Sequence, residues 1–342
     1  MRKLLVFLLT LVTLITVTAC GGPEKKAAAP AQPTRVTLGM LRLTSSAPLF
    51  IAMDKGYFKE ENLEVKPEWF DAAQPIAVAT ASSNIDVGAT GITASLYNMA
   101  AEGQSLAIVA DKGREQKGHP SSALLVSNEA YGKGVHKVED LKGKRIGITQ
   151  KGSSFHYMIG RILEAKGINP DEVTLVPLGK LSAVMAALQT GKIDACILNE
   201  PNVTKVENAG YGKSILPVSD VLPYQVSALF YSPNFIKDKD TATRFMRAYV
   251  KACNYYYDYA LEGKDEKKKD EIIKIIARYV KAPEEDIRLG LPYIDRDGHP
   301  MKDDIKTQID WYAGHQLLSK KPALDAVVDT SFLDKALESG KK

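Results

Sequence analysis

SSAPLFIAMDKGYFKEENL, residues Ser45–Leu63, is the stretch around which the rest of the chain can be read. From Pro48 onward Leu49, Phe50, Met53, Tyr57 and Phe58 recur at helical spacing and predict a helix ending beyond Gly56. Ser45 or Ser46 is suited to cap it, and Pro48 sits where a missing N–H is harmless. Upstream, the β-branched and apolar segment Arg35–Leu43 predicts a strand that runs into Thr44-Ser45-Ser46. A strand that feeds a helix through a short Ser-rich turn presents N–H groups and hydroxyls at one point, which suits an anion or a polar ligand head.

Toward the N-terminus, Arg2 and Lys3 precede an apolar run from Leu4 to Val17 that ends in Val17-Thr18-Ala19-Cys20. The run is short for a membrane span of about 20 residues. Residues 1–19 therefore read as a lipoprotein signal peptide with Cys20 as the lipidated residue; an uncleaved anchor is the alternative. The Ala/Pro/Lys-rich residues 20–34 cannot build a core and are expected to form a flexible tether. That anatomy predicts an exported protein of the cell envelope, held at a membrane by its lipid.

About 310 of the 342 residues remain beyond the tether, which predicts two domains. The formal charge of +4 falls to +2 without Arg2 and Lys3, and the charges are interspersed. That excludes a nucleic-acid footprint. Besides Cys20 the chain has only Cys196 and Cys253, which read as small buried residues rather than as a disulfide or metal pair. Strands and helices alternate, which argues for α/β domains with largely parallel sheets. Expected strands include Leu63–Trp69, Ile85–Ala89, Leu106–Ala110 and Ser122–Val126, with a polar loop over Asp111–Pro120. The plan then repeats with strands Arg145–Thr149, Val173–Pro177 and Ile193–Leu198, and Val226–Tyr231 follows as a later strand. SSNIDVGATG and TGKIDACILNE share one rhythm, a turn, Ile-Asp and small residues, the echo expected of two similar domains.

Open α/β sheets bind ligands beyond the carboxyl ends of their strands. The turns at those ends supply the candidate ligand-binding residues: Ser45 and Ser46, Thr90 and Gly91, Ser153 and Ser154, Asn199 and Glu200. Two such half-sites facing each other across a hinge would enclose a small molecule. The plainer alternative is that the serines are helix caps and the glycines serve turn geometry. Arg114, beside Lys112 and Lys117 in the expected loop, offers a planar fork for a carboxylate or sulfonate, or else points into solvent. Arg42 is a second such candidate, Glu200 suits an amine, and Trp69 and Phe70 either wall a ligand body or pack in the core. The chain lacks the sequence patterns of zinc proteases, serine hydrolases and phosphate-binding loops, and its five histidines have no metal-ligand spacing. No catalytic residue, metal or cofactor is expected. His156, two residues past Ser154, has no third group to orient it as a base.

APLFIAMDKGYFKEENLEV, SSNIDVGATGITASLYNMAAEG and GSSFHYMIGRILEAKGI, the last followed by VMAALQTGKIDACILNEP, resemble in order the nitrate/sulfonate/taurine-type solute-binding proteins of bacterial ABC importers, the NMT1/THI5-like and SsuA-like family. The resemblance spans roughly residues 35–230. It implies a two-lobed periplasmic-binding-protein-like fold of type II, two Rossmann-like α/β lobes joined by a two-strand hinge. Residues 35–124 and 228–342 would form the first lobe and residues 125–227 the second. It further implies a monomer that hands a small solute (nitrate, a sulfonate, taurine, an aromatic acid or a pyrimidine-like compound) to an ABC permease and its ATPase. Two alternatives are a THI5-like enzyme of pyrimidine synthesis for thiamine on the same fold and a binding domain that reports to a receptor.

Overall fold

The computed structural model describes residues 32–104 and 106–340, so the expected signal peptide, Cys20 and most of the tether lie outside it. Strands β1 (Thr34–Met40), β2 (Leu63–Trp69), β3 (Val87–Gly91), β4 (Ala107–Glu115) and β10 (Tyr224–Tyr231) form one sheet in the order β2-β1-β3-β10-β4. Strands β5 (Ser122–Ser127), β6 (Arg145–Ile148), β7 (Thr174–Pro177), β8 (Ala195–Asn199) and β9 (Gly212–Pro217) form the other in the order β7-β6-β8-β5-β9. Each sheet has three parallel strands followed by an antiparallel one, β10 in the first and β5 in the second. The inner parallel strands are apolar, with Val36, Leu38 and Met40 of β1 wholly buried, whereas the edge strand β2 alternates and exposes Glu64, Lys66 and Glu68.

The Ile-Asp rhythm has a physical basis that is the same in both sheets. The carboxylate of Asp86 accepts from the N–H of Thr37 at 2.7 Å, and that of Asp194 accepts from the N–H of Arg145 at 2.8 Å, each across 49 residues. The preceding isoleucines fill matching gaps: a Cβ on Gly39 would lie 2.3 Å from Ile85 Cδ1, and one on Gly147 would lie 2.3 Å from Ile193 Cδ1. Each sheet is thus tied across a parallel pair, β1 to the residues that precede β3 and β6 to those that precede β8.

Two expectations need correction. The chain passes between sheets in residues 116–121 and 218–223, because β5 lies wholly in the second sheet and β10 wholly in the first. The changes of lobe therefore precede the expected boundaries at 124/125 and 227/228 by a few residues. The segment Asp111–Glu115 is the continuation of β4 rather than part of a polar loop. Asp111, Lys112 and Glu115 are buried there because the C-terminal part of the chain closes over this edge strand, with Asp111 donating its N–H to Gly298 and Arg114 donating its N–H to Tyr293.

The helix Lys239–Tyr256, continued by a wider turn through Leu261, packs its Phe245, Met246, Tyr249 and Tyr256 face into the core of the first lobe. The helices Glu266–Val280 and Ser331–Ser339 clad the same lobe. The helix Lys302–Gly314 does so too but also reaches the second, where Tyr312 O–H donates to the Ser153 carbonyl at 3.2 Å. Cys196 and Cys253 are both buried and unpaired. Among the described residues no helix is long and apolar enough to cross a membrane.

Candidate functional site

The carboxyl ends of β1, β3, β6 and β8 converge on one cleft between the sheets, with a volume of about 480 Å3 including its open mouth. The first lobe contributes Ser45, Thr90, Gly91, Lys112 and Ser227; the second contributes Thr149, Ser153, Ser154, Phe155 and Asn199. Leu41, Leu43, Ala72, Leu181 and Val226 complete the lining with apolar surface. An adjoining hollow shares Leu41, Leu43 and Leu181 and is walled by Arg42, Trp69 and Phe70. Arg42 is engaged there, stacked 3.8 Å above the Trp69 ring and donating to the Tyr279 carbonyl.

The turn residues do different things. Ser45 faces the cleft, where its Oγ accepts from Lys112 Nζ at 2.9 Å. Ser46 faces away from it and donates to the Leu41 carbonyl at 3.3 Å, so it is a structural residue of the turn rather than part of the lining. Ser153 caps the helix Ser154–Ala165 by accepting from His156 N–H at 3.2 Å and still borders the cleft. Gly91 lets the lobes approach: a Cβ there would stand 3.0 Å from Ser154 Oγ. Asn199 donates from Nδ2 to Ser122 Oγ at 2.7 Å. Thr90 Oγ1 and Ser227 Oγ are buried and have no hydrogen-bond partner among the described residues.

Arg114 and Glu200 lie outside the lining. The Arg114 guanidinium sits 3.4 Å from Asp111 Oδ2 and 3.3 Å from Asp295 Oδ2, and it donates to the His299 carbonyl. These contacts hold the C-terminal segment against β4, and they exist because the expected loop is a strand. The Glu200 carboxylate accepts from the N–H and Oγ1 of Thr204 at 3.1 and 3.2 Å, inside the second lobe. Its main chain does reach the cleft rim, where the Glu200 carbonyl accepts from Thr44 N–H and Oγ1, both at 3.2 Å. His156 is turned aside: its Nδ1 accepts from Gly152 N–H at 3.0 Å, and burial holds its pKa down at about 4. Among the described residues no cluster of ligating side chains suits a metal ion.

The residue that sequence reasoning passed over is Lys112. It is 1 % exposed and, among the described residues, is the one ionisable side chain that lines the inner cleft. Burial pushes its ammonium down to about 7, against a partial upward pull from Asp111. Asp111 itself is committed elsewhere, accepting from Gly113 N–H at 2.8 Å, from Asp295 N–H at 2.7 Å and from the Gln225 amide. The one signal in the sequence was position, since Lys112 follows an apolar strand run as the serine turns do.

A family model described as NMT1/THI5 like matches residues 43–261, more than half of the chain. A Brachyspira hyodysenteriae protein, named provisionally as an ABC transporter periplasmic binding protein, is 23% identical over 98% of this chain and 98% of its own length. The nitrate-binding protein NrtA of Synechocystis PCC 6803 superposes with a TM-score of 0.74 at 16% identity, covering 90% of this chain and 89% of that one. The alkanesulfonate-binding protein SsuA of Xanthomonas axonopodis pv. citri, solved bound to MOPS, gives 0.70 at 20% identity over 87% and 99%. At these identities the two structures bear on the fold, which is that of the periplasmic binding proteins.

Proposed function

The chain belongs to the NMT1/THI5-like family, and on that premise we propose that it is the solute-binding component of an ABC import system. It captures a small polar or anionic solute between its lobes and delivers it to the permease and its ATPase, working as a monomer tethered to the membrane through Cys20. The observation that carries this reading is the convergence of hydroxyl and amide groups from both sheets, Ser45, Thr90 and Ser227 on one side and Ser154 and Asn199 on the other, on one cleft at the strands' carboxyl ends. A solute held by both halves draws them together, which is how a two-lobed protein couples binding to a shape its permease can read. The relatives named as ABC and solute-binding proteins support the same reading.

A thermal-shift screen against nitrate, sulfonates, taurine, aromatic acids and pyrimidines tests it. A solute at a hundred times its dissociation constant stabilises by about 2.7 kcal/mol. The expected result is a hit whose affinity drops in both Thr90→Val and Ser154→Ala, one from each lobe. A hit indifferent to both would place binding outside the cleft. The tether is tested separately, because Cys20→Ser should abolish acyl labelling of the protein.

A further inference from the structure

We propose that Lys112 is the counter-charge of the solute, so that the inner cleft takes an organic monoanion with an apolar body and no cationic group. This rests on the reading of the cleft as the solute site and narrows it to a chemical class. The ammonium has three protons to donate and one described acceptor, Ser45 Oγ at 2.9 Å. Its neighbour in sequence, Asp111, faces Arg114 and three further donors and is not free to neutralise it. A buried ammonium without a carboxylate partner costs stability unless something anionic joins it.

The remaining polar groups fit the same ligand. Thr90 Oγ1 and Ser227 Oγ line the cleft, are buried, and lack any described partner. Ser45, whose lone pair is used by Lys112, keeps its own O–H to donate. Three hydroxyl protons and one ammonium therefore stand available to an oxyanion head. Among the described residues the inner lining carries no carboxylate, so a solute with its own ammonium would bury that charge unpaired; amino acids and taurine are excluded on this ground. A doubly charged phosphate would leave one charge uncompensated. Leu41, Leu43, Ala72, Phe155, Leu181 and Val226 offer apolar surface to the solute's body, which bare inorganic anions would not use.

Capture is then coupled to a proton. Burial, offset only in part by Asp111, holds the Lys112 ammonium down at about 7, and an anion against it reverses that shift. The elements packed around it contribute Ser45, Thr90, Ser154, Asn199 and Ser227, none of them ionisable near neutrality. Asp111 on its own strand is the charge that acts on it. Above pH 7 binding takes up a proton, and affinity falls by up to tenfold per pH unit.

The test uses matched probes on the whole protein: benzoate and butanesulfonate, their neutral counterparts benzamide and butanesulfonamide, taurine, and nitrate, each at about 10 mM, high enough to register millimolar affinity. The expected result is that the two organic monoanions raise the melting temperature while the amides, taurine and nitrate do not. Lys112→Met, of similar volume, should weaken monoanion binding by at least about a hundredfold. Calorimetry at pH 8 in two buffers should show close to one proton taken up per monoanion bound. An amide that binds as tightly as its acid, or unaltered binding in Lys112→Met, overturns the inference, and so does silence across the monoanions. If a neutral probe binds and loses affinity in Thr90→Val, the cleft remains the solute site and only the counter-charge is wrong. If a probe binds and is indifferent to Lys112→Met, Thr90→Val and Ser154→Ala alike, the solute-site reading itself fails.

Discussion

Trp311 Nε1 donates to both oxygens of the Glu164 carboxylate, at 2.9 and 3.1 Å, and so ties a helix of the C-terminal segment to the helix that opens at the cleft from the second lobe. Its ring also fills the space over Gly160, where a Cβ would lie 2.4 Å from the indole. His315 stacks on the same ring at 4.0 Å. The contact falls on the helix Ser154–Ala165, whose first residue Ser154 lines the cleft.

Trp311→Ala should therefore act on both stability and binding. Truncating a buried Trp costs about 3–5 kcal/mol. The expected outcome is an earlier melting transition together with weaker solute affinity, because the second half-site is no longer positioned. Gly160→Val, which drives a side chain into the ring, should reproduce both effects. Normal affinity in a variant that melts earlier would show that the contact is structural only.

The hydroxyl variants separate the cleft from the turn. Thr90→Val and Ser227→Ala remove groups that have no protein partner, so the ligand-free protein should melt normally or slightly higher. Each should weaken solute binding by about 1–3 kcal/mol. Ser46→Ala loses its bond to the Leu41 carbonyl, and Arg114→Ala loses its two carboxylate contacts; both should lower the melting temperature and leave affinity nearly unchanged. Calorimetry alongside thermal melts distinguishes the two patterns.

Lys112→Met should stabilise the ligand-free protein while it impairs binding. The folded ammonium titrates at about 7 against an ordinary 10.5, so between those values the unfolded chain holds more protons. The stability of the free wild-type protein therefore rises as the pH climbs from 7 toward 9. At pH 7 and below the cost of the buried ammonium is fully present, on the order of a few kcal/mol. Lys112→Met should flatten that rise and melt higher at pH 7. A lower melting temperature in the variant would contradict the burial cost.

His156 acts with the same sign in a lower window. Its folded pKa is depressed to about 4 from 6.5, chiefly by burial and further by His315 and Lys151. Its contribution to stability is present above 6.5 and is lost as the pH falls toward 4. His156→Gln should remove that part of the acid limb in pH-dependent melts while leaving affinity at pH 7.5 close to wild type.

The proposed capture of solute between the lobes requires them to part. Thr44 with Glu200, and Ala94 N–H with the Gly152 carbonyl at 2.9 Å, bridge the lobes beside the cleft and must break for solute to pass. Small-angle scattering should show a radius of gyration that shrinks on adding a saturating solute. Superimposable curves with and without it would argue against a hinge.

The order of strands and helices was legible in the chain because it depends on local patterning: the period of apolar residues, Ser and Pro where helices begin, Gly where they end. The paired Ile-Asp segments were legible too, since both sheets use them for the same bond across 49 residues. The convergence of Ser45, Thr90, Ser154 and Asn199 was expected from their places at strand ends, and the structure does bring their side chains to one cleft. What the sequence did not determine is the environment of β4. Five polar or charged residues and a glycine in Asp111–Gln116 pattern as a solvated loop, and only the later closure of residues 293–298 over this edge turns 111–115 into a buried strand. Burial separates neighbours that look alike in sequence, pairing Arg114 with Asp111 and Asp295 while leaving Lys112 facing the cleft. Local pattern placed the hydroxyls; contacts between residues far apart in the chain decided which charge stands among them.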